Sequence, residues 1–203
     1  MGKSRKGAAS HKPLTVLLVE GPTEVIFYER VKRLYLGACR VVIEHIEGNF
    51  NVNGKILNRL TAKYCDCPVR AYCCLDRESR YAKVPALDLK FIRRELADKG
   101  AGNILSVDAV IATQMIESWF FHDIDGIFNH LRVPRAERKP RKWHPPERLR
   151  VWDLKELFRR YGKMYCEGER ARGLIEGLDM AVIVKACRDL RDVIDLIRRQ
   201  GGQ

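Results

Sequence analysis

The stretch that most constrains the fold is Leu14-Thr15-Val16-Leu17-Leu18-Val19, which ends abruptly in Glu20-Gly21-Pro22-Thr23-Glu24. Six β-favouring residues without strict polar alternation read as a strand buried on both faces, the kind found inside parallel sheets. Pro22 suits the first turn of a helix, where its missing N–H leaves no partner wanting. Phe27, Val31, Leu34 and Tyr35 then recur at helical spacing. Glu20 is thus predicted at the carboxyl end of a core strand, where open α/β sheets place their ligand crevices. A carboxylate there is costly unless something cationic meets it. The alternative is an edge Glu20 turned to water, with Glu24 merely complementing a helix N-terminus.

The same alternation of short apolar runs and helical periods continues. Residues 40–46 (RVVIEHI) predict a second strand, and Ile56, Leu57 and Leu60 a second helix. Gly48 to Lys55 resembles a phosphate-binding loop, but it is one residue too long and Ile56 replaces the metal-binding Ser or Thr, so that reading is rejected. Residues 69–75 (VRAYCCL) form the third predicted strand, ending in Asp76-Arg77-Glu78-Ser79. A third helix follows over 87–96 and a fourth strand, or two shorter ones, over 103–112. This β-α-β-α-β-α-β order predicts an α/β fold with a mostly parallel sheet flanked by helices on both faces. Beyond it lie helices over 113–122 and 124–131, and a helical C-terminal extension from 151 to 203. That extension carries an apolar seam of Ile183, Cys187, Leu190, Ile194 and Ile197 on which two chains would pair as a homodimer.

Residues 132–150 break the pattern. Eight Lys or Arg stand against two Glu, with four prolines, which predicts a linker or exposed loop between a domain over 13–131 and the extension. Residues 1–12 read as a basic tail, without the apolar segment of a signal peptide. The formal charge of +12 points to a polyanionic partner, nucleic acid first and an anionic membrane surface second, while no apolar run is long enough to span a bilayer. Seven cysteines, an odd number without framework spacing, fit reduced thiols in a cytoplasmic protein. Cys65-Asp66-Cys67 lacks a zinc-site spacer, and the histidines show no chelating pairs.

Glu20 ends the first predicted strand, and Asp76 and Glu78 follow the third. Parallel strands deliver their carboxyl ends to one edge, so these acids converge without any coincidence of long-range folding. Clustered carboxylates do not all stay charged unless a proton or a divalent cation intervenes. All-oxygen ligation suits magnesium or manganese. Beside a strongly basic chain, this predicts metal-assisted chemistry on phosphodiesters.

Leu17-Leu18-Val19-Glu20-Gly21 and Leu75-Asp76-Arg77-Glu78 together resemble the Toprim domain of topoisomerases, bacterial primases and OLD (overcoming lysogenization defect) nucleases. The longer Glu20-Gly21-Pro22-Thr23-Glu24 is similar to the OLD branch. More closely, the chain resembles a family of small stand-alone Toprim-like proteins of unknown function, whose members carry a Glu-x-Trp helix, here Glu117-Ser118-Trp119, and a Tyr-x-Lys, here Tyr161-Gly162-Lys163. The resemblance implies a Toprim-like sheet and a metal-dependent nuclease in prokaryotic defence, beside a separate ATPase subunit. Glu20 would be metal ligand or general acid/base, Asp76 the main ligand, and Glu24 and Glu117 ligands of a second metal. Lys163 would touch the substrate phosphate. Glu78 stands where the family has Asp, one methylene longer.

Arg138, Lys139, Arg141 and Lys142, with Trp143 interleaved, are candidates to track a nucleic-acid backbone and stack a base, and Arg77, between the acids, is a further nucleic-acid-binding candidate. Arg30, Lys32 and Arg33 are expected to decorate the exposed face of the first helix. Two alternatives to a nuclease remain at this point: a non-catalytic Toprim-like module binding nucleic acid or a protein partner, and a maturase of one structured ribosomal RNA.

Overall fold

The computed structural model of the chain describes residues 12–48, 50–76, 87–112 and 115–201. Its centre is a four-stranded sheet in the order β2-β1-β3-β4, with every neighbouring pair parallel. The strands are β1 (Leu14–Val19), β2 (Val41–His45), β3 (Val69–Asp76) and β4 (Ile104–Ala112). β1 and β3 take the central places, as their mostly apolar runs require, because a strand covered on both faces has little solvent side for polar residues.

Alternate residues of these strands feed two separate cores. Val16, Leu18, Ala71, Cys73 and Leu75 face α2 (Val52–Lys63) and α3 (Leu89–Asp98), whose Ile56, Leu60, Ile92 and Leu96 close over them. Leu17, Val19, Tyr72 and Cys74 face the other way, toward α1 (Pro22–Tyr35) and the helices of the C-terminal half. The period-two geometry of a strand makes this division automatic. On α1, Phe27 and Val31 are buried as their spacing predicts, but Leu34 is exposed. Arg30 is not surface decoration either. Its guanidinium donates to the carbonyls of Ile175 and Leu178, the latter at 2.7 Å, and so caps the end of α7 (Arg172–Gly177).

The connection β1-α1-β2 lies on one face of the sheet, and α2 carries the chain from β2 to β3 across the other. Strand order therefore reverses between β1 and β3, the switch point above whose carboxyl ends open α/β sheets place their ligands. The turn after β2 closes one flank, with Gly48 N–H donating to the carbonyl of Glu20 at 2.9 Å. Lys55 turns its amine onto the carbonyls of Glu47 and Gly48, at 2.6 and 3.2 Å.

After β4 come α4 (Ile116–Phe120), a 3₁₀ turn over Phe121–Asp123 and α5 (Ile124–Leu131). The single helix predicted over 113–122 is thus a short α-helix that tightens at its end. Residues 132–150 are not a detached linker: they include three short 3₁₀ turns, and Trp143 and Pro146 within those turns and Val133 before them are buried. α6 (Val151–Arg160), α7, α8 (Met180–Ala186) and α9 (Arg188–Gly201) complete the chain. The seam of Ile183, Cys187, Leu190, Ile194 and Ile197 is buried in the chain's own core, which removes it as a surface for pairing two chains. Among the described residues no helix is long and apolar enough to cross a membrane.

Candidate functional site

Four carboxylates gather at the switch point, each delivered by a different element. Glu20 follows the last residue of β1, and Asp76 is the last residue of β3. The register pairs Val19 with Cys74, so the two acids leave the sheet on adjacent strands within two residues of one another. Glu24 comes from the first turn of α1 and Glu117 from the first turn of α4. Asp76, Glu24 and Glu117 are 6%, 9% and 3% exposed, and Glu20 is half-buried.

Local structure fixes each position. Gly21 caps α1 in an extended conformation, and Glu24, three residues on, reaches back to hydrogen-bond the Gly21 backbone. A Cβ on Gly21 would lie 2.8 Å from Oε2 of Glu24, so glycine is what lets that carboxylate fold back. Asp76 is hydrogen-bonded by the backbone of Ile116, the first residue of α4, and thereby joins β3 to that helix end. Tyr165 donates its buried hydroxyl to Oε1 of Glu117 at 3.0 Å. Gly168, three residues later, donates its N–H to Oγ1 of Thr23 at 2.8 Å and pins the 165–168 segment to the start of α1.

Burial and mutual repulsion set the charge state. Burial pushes the Asp76 carboxyl well above its ordinary range, and the charges of Glu24, Glu117 and Glu20 push the same way. Glu24 is raised first by burial and then by Glu20 and Glu167, against its two backbone hydrogen bonds. Burial, with Glu24 and Glu167 adding to it, lifts Glu117 to about 7, although its own N–H and the Tyr165 hydroxyl resist. Tyr28, buried beneath them, has its phenol pushed up by burial and further by Cys74, Asp76 and Glu24. Among the described residues, the charges acting most strongly on Glu24, Asp76 and Glu117 are other carboxylates. Such a cluster relaxes by holding protons or by accepting a cation.

The donor chemistry fits a hard divalent cation, because every group offered is an oxygen. As placed, however, no three His, Cys, Asp or Glu side chains among the described residues stand close enough together to enclose a metal ion. Glu78 and Arg77 lie outside the described residues.

The other sequence candidates go elsewhere. Lys163 is exposed, and its amine donates to the carbonyl of His130 at 3.0 Å. Trp143 is 4% exposed and stacks on Phe121 at 5.9 Å between ring centroids, so its ring belongs to the core and has no face to offer a base. Lys142 lies over the Trp143 ring and 3.5 Å from Glu156. Arg138 donates to Val133 and Asn129 and pairs with Asp125 at 3.7 Å. Lys139 and Arg141 are exposed. Sequence reasoning passed over Tyr165 and Glu167. No spacing rule links them to Glu117, which lies 48 residues before Tyr165, and the only signal is their position just beyond Lys163.

Among solved structures, the chain is similar to the C-terminal region of the Burkholderia pseudomallei OLD protein. Identity is 17%, the TM-score 0.49, and the match covers 90% of this chain and 98% of that one. It is also similar to the C-terminal region of the Xanthomonas campestris pv. campestris OLD protein, at 17% identity and a TM-score of 0.42, covering 92% and 96%. No family profile matches the chain, and no curated protein does. At this level of similarity, the chemistry of the site rests on the chain's own residues.

Proposed function

We propose that the protein is a metal-dependent nuclease that hydrolyses phosphodiester bonds of DNA or RNA. The observation that carries the reading is the convergence of Glu20, Glu24, Asp76 and Glu117 at the switch point of the sheet, where they repel one another in partial burial. A fold does not assemble such a group for stability, since each added carboxylate raises the cost of ionising the others. Magnesium or manganese would be held by Asp76 and Glu20, with Glu24, Glu117 and Glu78 completing the set. When bound, the ion supplies charge neutralisation at the phosphoryl oxygens and a more acidic water.

The chain's own groups define the rest. Tyr165 donates to Oε1 of Glu117, which leaves Oε2 for the cation, while in the metal-free protein burial holds the proton on this carboxyl up to about 7. Tyr165 fixes the orientation of that carboxyl. The excess of positive charge draws a polyanion toward the molecule. Lys163, Lys139, Arg141 and Arg77 are assigned to substrate phosphates, Lys163 by exchanging the carbonyl of His130 for a phosphate oxygen. The reading extends to a cytoplasmic defence role beside a separate ATPase subunit, a context supported by the motif resemblance alone.

A non-catalytic nucleic-acid or partner-binding module is the second reading. It is favoured by the absence, among the described residues, of three ligating side chains already gathered around one point, together with the Asp-x-Glu order of Asp76 and Glu78. Incubation with supercoiled, linear and single-stranded DNA and with RNA, in Mg²⁺, Mn²⁺ or chelator, separates the two. Cleavage that chelator stops, and that Glu20→Ala and Asp76→Ala abolish in folded protein, supports the nuclease. Salt-sensitive binding without cleavage in any metal supports the module.

A further inference from the structure

α6 is amphipathic, with Val151, Leu154, Leu157 and Phe158 buried against the core. Trp152 projects from its other side and is 74% exposed. The chain has three tryptophans, and the remaining two, Trp119 and Trp143, are 6% and 4% exposed. A large aromatic ring on the solvent side of a helix does nothing for the packing of that helix.

The ring is tied to the acidic rim through contacts. The Lys155 ammonium lies over the Trp152 indole, 5.5 Å from its centroid. The same ammonium pairs with Glu167 at 2.8 Å. Glu167 is near enough to Glu24 and Glu117 for its charge to act on both, and its neighbour Gly168 is bonded to Thr23 on α1. Exposed Arg148 and Arg150 lie just before the helix. An open indole with a lysine over it, linked through Lys155 and Glu167 to the acidic rim, is suited to act as a base-stacking platform.

We propose that Trp152 stacks an unpaired base of the substrate while Lys155 meets the adjoining phosphate, so that the substrate class is single-stranded nucleic acid. The inference rests on the nuclease reading only in placing nucleic acid at the rim. A paired base inside a duplex has both faces occupied by its neighbours and offers none to an indole. Every base has a π-face, so recognition at this point is tolerant of sequence.

The other two tryptophans also emit, but they are buried away from an added strand, so a change of emission on titration reports on Trp152, and Trp152→Ala supplies their background. Titration with oligothymidylate, oligouridylate and a matched duplex, all in chelator so that nothing is cut, should quench emission with the single strands and not with the duplex. The two single-stranded arms distinguish DNA from RNA. Trp152→Ala should lose the quenching and bind labelled single strands about 5- to 100-fold more weakly, whereas Trp152→Phe retains most of the affinity. Unchanged emission with every oligonucleotide, equal quenching by duplex, or wild-type affinity in Trp152→Ala overturns the proposal. If metal-dependent cleavage persists while Trp152→Ala binds and cuts single strands normally, only this inference fails. Intact quenching without cleavage in any metal leaves it standing and removes the nuclease.

Discussion

Replacing Glu117 by Gln should make the metal-free protein more stable at pH 8, and the size of the gain follows from where that carboxyl sits. Glu117 is 3% exposed and its pKa is pushed from 4.5 up to about 7. The folded state therefore holds the proton more tightly than the unfolded chain. For an acid shifted in that direction, stability is fully present below about 4.5, declines as pH rises toward 7, and is flat above. A shift of this size is worth about 3 kcal/mol at 1.36 kcal/mol per pH unit. For a chain of this length that amounts to about 6–12 °C in Tm. Glutamine keeps an oxygen to accept from Tyr165, so the hydrogen bond is not what changes. Burial lowers the pKa of His122 and His130, which makes stability fall toward acid pH, but that contribution is common to both proteins and cancels in the difference. Thermal denaturation in chelator between pH 5 and 8 should show the two curves together at the acid end and parting toward pH 8. A gap below about 1 °C at pH 8, or one that widens toward pH 5, refutes the claim that repulsion and burial set the energetics of this rim.

Three further outcomes test separate parts of the molecule. Gly21→Ala places a Cβ 2.8 Å from Oε2 of Glu24 without backbone strain, since Gly21 is extended, so metal-dependent cleavage should fall by about 10- to 100-fold while Tm hardly moves; an unchanged rate argues against a role for Glu24. Trp143→Ala removes a buried indole stacked on Phe121 and should cost about 3–5 kcal/mol in urea denaturation, with nucleic-acid affinity of the folded protein unaltered. Glu44, 6% exposed, accepts from Lys63 and, at 2.6 Å, from the Tyr64 hydroxyl; burial alone would raise its pKa, but these bonds hold it below the ordinary value. Glu44→Ala should therefore destabilise the protein by about 1–3 kcal/mol at pH 7, and the deficit should shrink as pH falls below 4.5 through the folded pKa of Glu44.

The sheet was legible because its strands are punctuated. Val19 stops at Glu20-Gly21-Pro22 and Leu75 at Asp76, so the ends of β1 and β3, and with them two of the acids, follow from runs of six to eight residues. The place of Glu24 in the first turn of α1 follows from Pro22 two residues before it, but its candidacy as a ligand came from a motif resemblance. Glu117 was found only through a motif resemblance, since nothing in the Thr113–His122 pattern says that α4 begins over the end of β3. Tyr165 and Trp152 escaped altogether. Tyr165 reaches the site by its bond to Glu117, and Trp152 only through Lys155 and the pairing of Lys155 with Glu167, links between elements that no local period encodes.

Residues 132–150 show where composition misleads. Averaged over the segment, charge and proline outweigh everything else, and the average describes a loop. The fold is decided instead by single apolar residues, Val133, Trp143 and Pro146, each set among polar neighbours and each buried. The seam of α8 and α9 errs in the opposite direction. A period of 3.6 identifies the face that must be covered but not what covers it, and here the chain covers its own face with the core that α1 and β4 share. Tertiary context also governs the acids. Four carboxylates at a strand edge are expensive wherever they meet, so their cost alone does not separate a metal centre from a cluster that simply holds protons. The separation lies in what relieves that cost. Mg²⁺ or Mn²⁺ added at pH 8 should raise the Tm of the wild-type chain and close its gap to Glu117→Gln, whereas a cluster relieved by protons alone would leave the gap unchanged.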